Sequence, residues 1–495
     1  MKKILFIAAL FSVFNICTAQ DAVYKLLRQE WTLNSDGTSD YHYRHEVQIL
    51  RNRALVAYAD KGETFVVYNP DLEDLTVNEV YTIQKDGTRV NMPQNAFIYQ
   101  LPSECADCGR FNHIRELAMV HTGMELGCTI VVDYTIHRQY NLLYEYLPLM
   151  RECPVEKYEV IVNYNHNDME LRYKIDGVQY LNSKDVTRIS SIDTSDMSRT
   201  LHYTFDNLQQ APREPYLPAD IIPTLHIFNS VPEFTPAFDA NGLKEARVTA
   251  VQQEVGTDDK KNVCGIRDFV VDNIHLNDLN PAMLGYVHAT AAEVWQTGCG
   301  TATDKAVLLA AMLNEVGYQA RVLGDKMDEV GVMIDTLEYR LSVRKKSPLT
   351  LYGEAKDEVT PVVYNRNHAE YPMDTLEDGF YRLPLTRIAE APAIDVARLA
   401  LTRTAPLATP QCDIAVQDEY TLAKGLKMVG GKVSQSLAFE GIGQVEISIK
   451  QSGKKLTVSR KLKIEKSLIA PEEYAAYRQL MATWKSVDCV LLRSK

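Results

Sequence analysis

The stretch from Thr301 to Gly317, TATDKAVLLAAMLNEVG, constrains most strongly what this chain can fold into. Thr301 followed three residues later by Asp304 predicts a capping box at a helix start, and Gly317 is typical of a helix end. Between them, apolar residues occupy nearly every face of the predicted helix. A helix of this kind is stable only when protein surrounds it, so the chain must build a core around these residues.

The first part of the chain has the pattern of antiparallel strands. Over residues 23–207, apolar and polar residues alternate in short runs, as in strands with one buried face. Asp-Gly pairs beginning at Asp36, Asp86 and Asp176 separate these runs, and both residue types tolerate the positive φ of tight hairpin turns. The pattern predicts a β-sandwich of about two sheets. The proline-rich residues 211–223 end it, because proline cannot donate to a sheet.

Beyond residue 241 the apolar spacing becomes helical, and strand patterns return later. We expect helices within 241–255, 264–274 and 290–296, strands at 318–324 and 379–385, hairpins within 336–353 and 444–464, and a helix within 470–487. Together these patterns predict an α+β multidomain fold. The expected domains are a signal peptide at 1–19, an N-terminal β-sandwich at 20–235, a central α+β domain at 236–405 and a C-terminal β domain with a closing helix at 406–495.

The N-terminus has the composition of a cleaved export signal. Two lysines precede an apolar run over residues 4–14, and small residues lead to a cleavage point after Ala19. Cys17 raises the alternative of a lipid-anchored start, but Ile16 stands where a lipobox has a small residue. No later stretch approaches the ~18 apolar residues that cross a bilayer. We therefore expect a periplasmic or secreted protein without a transmembrane span.

Charge and missing motifs exclude several function classes. The chain has 53 Lys+Arg and 65 Asp+Glu, and removing the two lysines of the signal leaves 51 − 65 = −14. So acidic a protein is not expected to bind nucleic acid. The sequence has no phosphate-binding Gly-rich loop, no Gly-x-Ser-x-Gly and no His-Glu-x-x-His, so we expect no cofactor. The oligomeric state stays open.

The run from Ala302 to Arg321 resembles the core of the transglutaminase-like (papain-like) superfamily. That family has a cysteine, three residues, Ala, Leu-Leu, a further Leu pair, Gly and Ala-Arg before a strand. Segments 82–97 and 121–135 are similar to secreted bacterial members in which a β domain of unknown function precedes the transglutaminase-like domain and a small β domain follows. The resemblance covers nearly all of the mature chain. It implies a transglutaminase-like central domain whose catalytic cysteine, if present, begins the buried helix.

The residues at the family's catalytic positions depart from this pattern. The nucleophile's position falls on Ala302, which has no nucleophilic atom, and Cys299 lies three residues earlier. The strand where the family has its histidine contains none, and the one histidine after Cys299 is His368, six residues before Asp374. A thiol nucleophile needs a histidine in reach and a group that orients it. Two interpretations therefore remain open. Cys299, His368 and Asp374 form a catalytic triad, or Cys299 is a structural cysteine and His368 a surface histidine.

These departures predict a catalytically degenerate protein that binds or scaffolds a peptide, an envelope protein or a glycan. The alternative is a cysteine-dependent amide hydrolase or transamidase that uses Cys299.

The cysteines and one tyrosine cluster offer weaker candidate sites. Eight cysteines remain in the mature chain, and any disulfides among them are expected to be local staples. Cys105 and Cys108 form a Cys-x-x-Cys pair near His113, which is half of a zinc site, with a local disulfide or two free thiols as the alternative. Tyrosines are densest at Tyr140, Tyr144 and Tyr146. This cluster could form a glycan-binding face or simply pack within a sheet.

Overall fold

The computed structural model shows a β-rich multidomain fold. It describes residues 20–60, 65–165, 169–192, 198–218, 221–230, 259–323, 330–335, 339–346, 350–351, 361–386, 388, 391–392 and 394–494. Strands make up 46% and helices 19% of the structure. The predicted α+β class is therefore wrong. Segments with helical spacing of apolar residues form only a few short helices, whereas strands occupy much more of the structure. The predicted signal peptide and the helix expected at 241–255 lie outside the described residues.

The chain divides into two compact units. The first unit contains residues 1–211 and 222–354, and the second contains residues 212–221 and 355–495. Within the described ranges, none of the helices combines the length and the hydrophobicity that a membrane crossing requires.

The first unit begins with a strand-rich region. Its strands are β1 (Ala22–Leu33), β2 (Ser39–Ile49), β3 (Phe65–Tyr68), β4 (Glu73–Ile83), β5 (Arg89–Asn91), β6 (Phe97–Gln100), β7 (Arg115–Met119), β8 (Thr129–Arg138), β9 (Tyr144–Pro148), β10 (Val155–Asn165), β11 (Arg172–Asp176), β12 (Val186–Ile192), β13 (Ser198–Leu208) and β14 (Thr224–Phe228). A helix that the sequence patterns did not predict, α1 (Asn52–Asp60), follows β2. Short 3-10 helices lie at Gln94–Ala96, Ser103–Cys105, Gly109–Phe111, Val178–Tyr180 and Ser183–Asp185.

These strands form one large sheet and two small ones. The large sheet has eight strands in the order β12-β13-β10-β1-β2-β8-β4-β5, and the two three-stranded sheets are β3-β7-β6 and β11-β14-β9. Where the sequence predicted antiparallel strands throughout, β1 pairs antiparallel with β2 on one edge and in parallel with β10 on the other. Two of the three expected hairpin turns are confirmed, at Gly37, φ 92°, between β1 and β2, and at Gly87, φ 89°, between β4 and β5. The third prediction is wrong, because Gly177 is the N-cap of a 3-10 helix and β11 pairs with β14.

The second part of the first unit surrounds the buried helix. It contains α2 (Asp259–Asn273), β15 (His275–Leu276), a 3-10 helix (Pro281–Leu284), α3 (Ala291–Thr297), β16 (Cys299–Gly300), α4 (Ala302–Glu315), β17 (Ala320–Leu323), β18 (Gly331–Ile334), β19 (Tyr339–Ser342) and β20 (Thr350–Leu351). Every residue of α4 from Ala302 to Leu313 is buried, as its all-round apolar character requires. Helices α2 and α3 and the sheet β17-β18-β19-β20 pack around it.

The second unit is a β domain with a closing helix. Its elements are β21 (Val362–His368), β22 (Asp374–Thr375), β23 (Phe380–Pro384), β24 (Leu407–Ala408), β25 (Cys412–Thr421), β26 (Leu426–Met428), β27 (Val433–Phe439), β28 (Gly443–Ser452), β29 (Lys455–Ile464), β30 (Leu468–Ile469), α5 (Tyr474–Lys485) and β31 (Cys489–Ser494), with 3-10 turns at Glu377–Gly379 and Pro471–Glu473. The sheets are β21-β25-β29-β28-β27, β22-β23-β31-β26 and β24-β30. The hairpin of β28 and β29 and the closing helix are confirmed.

Candidate functional site at the start of helix α4

The start of α4 is closed by its predicted capping box. Thr301 Oγ1 accepts a hydrogen bond from the Asp304 backbone N–H at 3.2 Å, and Asp304 Oδ2 accepts one from the Thr301 N–H at 2.9 Å. Ala302, which the sequence resemblance aligned with a nucleophile, is the first helical residue and is 7% exposed.

The Asp304 carboxylate is fully buried and satisfied by three donors. Besides the capping bond, it accepts hydrogen bonds from the Ala289 N–H at 2.6 Å and from Arg110 Nη1 at 3.1 Å. A Cβ on Gly300 would lie 2.7 Å from the Cβ of Asp304, so only glycine lets the chain pass this close. Three donors on one buried carboxylate hold the helix start in a single arrangement.

Lys305, the next residue, is also buried, at 2% exposed. Its Nζ donates to the backbone carbonyls of Ile274 at 2.7 Å and Val271 at 3.4 Å, where α2 ends. Burial lowers the pKa of Lys305 to about 8. Because the last carbonyls of a helix lack partners within the helix, this ammonium satisfies the end of α2.

Cys299 is bonded to Cys108 in a disulfide, with their Cα atoms 5.9 Å apart. Both residues are 2% exposed and pack in a small apolar cluster with Cys105. The two cysteines are 191 residues apart, so the expectation of local staples is wrong for this bond. The segment that carries Cys108 reaches β16 through tertiary contacts, including a 2.9 Å hydrogen bond from Asn277 Nδ2 to the Glu104 carbonyl. In the disulfide, Cys299 has no thiol to ionise.

The other two members of the predicted triad, His368 and Asp374, lie in the second unit. His368 ends β21, and its Nε2 lies 2.9 Å from Asp418 Oδ1. The imidazole stacks on the Tyr420 ring, with 4.5 Å between centroids. Asp374 lies on β22 and forms a 3.8 Å ion pair with Arg382. The carboxylate partner of His368 is therefore Asp418, which the sequence could not indicate because it lies 50 residues further along the chain.

The disulfide involves only one of the two cysteines that were predicted as weak zinc ligands. Cys108 is bonded to Cys299, whereas Cys105 is a buried free thiol whose pKa burial raises to about 11. His113 is half-buried. Among the residues that the structure describes, no three His, Cys, Asp or Glu side chains are grouped to hold a metal ion.

The tyrosine cluster packs inside the first unit against residues 281–286. Tyr140 donates to the Ala282 carbonyl at 2.6 Å, and Tyr286 donates to the Tyr144 carbonyl at 3.0 Å. The rings of Tyr140 and Tyr286 meet edge to face at 6.2 Å. Tyr146 lies next to Tyr144, with 2.7 Å between their hydroxyl oxygens. Much of this aromatic surface is therefore occupied by contacts within the protein.

The sequence patterns missed Arg110, Asp418 and the role of Lys305. One signal for Lys305 was present: two consecutive charged residues, Asp304 and Lys305, in an otherwise apolar helix require partners when the helix is buried. The partners themselves, Arg110 among them, come from distant segments and left no local signal.

Two family models match the chain. Residues 35–211 match DUF3857, a domain of unknown function with a solved structure, and residues 381–489 match DUF3858, a domain of the same kind. No protein among those with curated descriptions matches the sequence.

A crystal structure from Parabacteroides distasonis, described as that of a "putative protease", shares the fold. It matches with a TM-score of 0.74 and 24% identity, over 96% of this chain and 99% of that chain. A structure of an M1 zinc metallopeptidase from Deinococcus radiodurans matches with a TM-score of 0.20 and 11% identity, over 42% of each chain, and supports no conclusion. The chain thus carries a DUF3857 domain and a DUF3858 domain, in a fold shared with the P. distasonis protein.

Proposed function

We propose that this chain is an exported, non-catalytic protein of the transglutaminase-like superfamily that binds or scaffolds another molecule. Of the ligands that its sequence permits, we favour a peptide segment of an envelope protein over a glycan. The tyrosine cluster that suggested a glycan packs largely against Tyr286, whereas the sequence resemblance predicts a papain-like cleft at the start of α4.

One observation carries the proposal: within the described part of the chain, the first turn of α4 carries no free thiol. A cysteine enzyme of this type needs a thiolate at a helix N-terminus, where unpaired N–H groups lower its pKa. Here Ala302 occupies that position, and the nearby sulfur of Cys299 is bonded to Cys108. Asp304 also accepts a hydrogen bond from the Thr301 N–H, so this N–H group serves to cap the helix and is not available to a thiolate.

The Cys108–Cys299 disulfide also supports the proposed export of the protein. Disulfides persist in oxidising compartments and are rare in the cytosol. A disulfide across 191 residues supports a periplasmic or secreted location, together with the signal-like first nineteen residues.

The catalytic part of the proposal is tested by alkylation and turnover assays. Purified protein is treated with iodoacetamide at neutral pH without reductant, and labelled cysteines are identified by mass spectrometry. Hydrolysis of fluorescein-casein and incorporation of dansylcadaverine are measured in parallel. We expect no label on Cys299 and no turnover, because the sulfur is bonded. Turnover that disappears in Cys299→Ala would overturn the proposal.

The binding part is tested with unfolded β-casein as a defined peptide-chain probe in biolayer interferometry. Arg110 is a partly exposed charge at the start of α4, so we expect Arg110→Ala to weaken binding by about tenfold. Arg115→Ala is the matched control, because Arg115 donates to carbonyls of its own turn. Absence of casein binding, or equal loss in both variants, contradicts a peptide site here.

A cysteine-dependent amide hydrolase or transamidase is the alternative, favoured by the description of the P. distasonis protein as a protease. It requires that a dithiol reductant supply two electrons and release Cys108 and Cys299 as thiols. It therefore predicts activity only after reduction, lost in Cys299→Ser and in His368→Ala. The non-catalytic proposal expects no activity before or after reduction.

A further inference from the structure

The second unit contains a cavity of about 680 Å³ between the last turn of α5 and residues 385–386, 388 and 391–392. Apolar side chains, among them Ile388, Trp484 and Val487, form much of its wall, and Arg460 and Lys485 are its cationic lining. Cavities of this volume, mostly apolar with a few polar groups, are typical of small-molecule sites.

Arg460 is the unusual residue of this wall, because its charged side chain is almost completely buried. Its side chain is 7% exposed, Nη2 donates to the Thr386 carbonyl at 2.9 Å, and Nη2 lies 3.5 Å from Asp418 Oδ2. Nε is buried and has no hydrogen-bond partner among the described residues. Burial lowers the pKa of Arg460, since removing the charged group from water disfavours it.

The carboxylate that faces Arg460 is already engaged. Asp418 is fully buried and accepts hydrogen bonds from Arg366 Nε at 2.7 Å and Nη2 at 3.0 Å. It also lies 2.9 Å from His368 Nε2. Among the residues that the structure describes, two guanidinium groups therefore share one carboxylate, which leaves an excess positive charge beside the cavity. A buried charge without full compensation is costly.

The other charged groups of the wall have partners elsewhere. Lys485 Nζ donates to the Ile394 carbonyl at 2.6 Å and lies 3.8 Å from Asp395. Asp488, with a side chain 72% exposed, lies 3.3 Å from Arg382. Among the described residues, Asp418 is the one carboxylate in an ion pair with Arg460.

We propose that this cavity binds a ligand with a carboxylate on an apolar body. The carboxylate would pair with the Arg460 guanidinium and supply the negative charge that Asp418, shared with Arg366, does not provide in full. The apolar body would lie against Trp484, Ile388 and Val487. This site belongs to the second unit and does not depend on the function proposed for the start of α4.

The ligand class is tested with a matched pair of probes, N-acetyl-L-phenylalanine and its primary amide. Binding to the full mature protein is followed by calorimetry and by tryptophan fluorescence. We expect the acid to bind and the amide to bind at least about tenfold more weakly, because the amide lacks the charge that Arg460 requires. The tripeptide Gly-Gly-Phe separates the two sources of such a carboxylate: its binding indicates a peptide C-terminus, and its failure beside a binding acid indicates a free small acid.

Three variants locate the site. Arg460→Gln should remove the preference for the acid over the amide. Because replacing a buried arginine can unfold the unit, Val487→Phe is made in parallel to fill the cavity while keeping the contacts of Arg460, and it should abolish binding. Lys461→Gln, on a side chain 57% exposed, is the control and should bind the acid as the unmodified protein does.

Circular dichroism establishes that each variant is folded. The proposal is overturned if the acid does not bind at millimolar concentration, if acid and amide bind equally, or if folded Val487→Phe binds the acid normally.

Discussion

Asp304 and Lys305 show how a buried helix can carry adjacent opposite charges. The carboxylate lies at the start of α4 and accepts from backbone N–H groups and Arg110, whereas the ammonium reaches the carbonyls at the end of α2. Free N–H groups collect at helix starts and free carbonyls at helix ends, so each charge meets groups of opposite polarity. Both side chains are therefore committed to structure, which leaves them poor candidates for chemistry.

His42 gives the molecule a predictable response to pH. Its Nε2 lies 2.8 Å from Asp133 Oδ1, and this hydrogen bond, with a further contribution from Glu30, raises the pKa of His42 to about 9. The folded protein therefore prefers the protonated imidazole. This contribution to stability is complete below the ordinary histidine pKa near 6.5 and is lost as pH rises from about 6.5 to 9. Urea unfolding at several pH values measures it.

The matched variant for this prediction is His42→Gln. Glutamine keeps a donor for Asp133 but cannot change its charge, so the difference in unfolding free energy between the two proteins should shrink from pH 6 to pH 9. A difference that stays constant over this range would mean that His42 titrates with an unshifted pKa or is not paired.

At the scale of single elements, the start of α4 should be far more sensitive than that of α3. Asp304→Ala removes the acceptor of two buried N–H groups and of Arg110, and we expect a loss of about 3–5 kcal/mol in unfolding free energy. Thr290 caps α3 by the same motif, but in an exposed position, so Thr290→Ala should cost about 1 kcal/mol. Equal losses, measured by urea unfolding, would contradict the role given to Asp304.

Elements with strong local patterns were predictable from the sequence. Helix α4, its capping box, the closing helix α5 and the hairpin of β28 and β29 follow from period, caps and turn residues within a few positions. Helix α1 was missed because it is short and lies within a strand-rich region. The class of the whole fold was misjudged because helical segments are conspicuous in a sequence, although strands occupy more of the chain.

At the scale of the whole molecule, the missed features are long-range pairings. Asp418 meets His368 because β21 and β25 pair in parallel, and β1 meets β10 across more than a hundred residues. The Cys108–Cys299 bond joins segments 191 residues apart. A sequence reports spacing along the chain, whereas these contacts depend on which strands and loops become neighbours in space.

That disulfide should make a large contribution to the stability of the first unit. A bond that closes a loop of 191 residues restricts the unfolded chain strongly, and we expect the Cys108→Ser/Cys299→Ser double variant to lose about 2–5 kcal/mol in unfolding free energy. Reductant should lower the melting temperature of the unmodified protein and leave that of the double variant unchanged. Because Cys105 is present in both proteins, an equal response to reductant would assign the effect to another cysteine and remove the reason for regarding Cys299 as chemically silent.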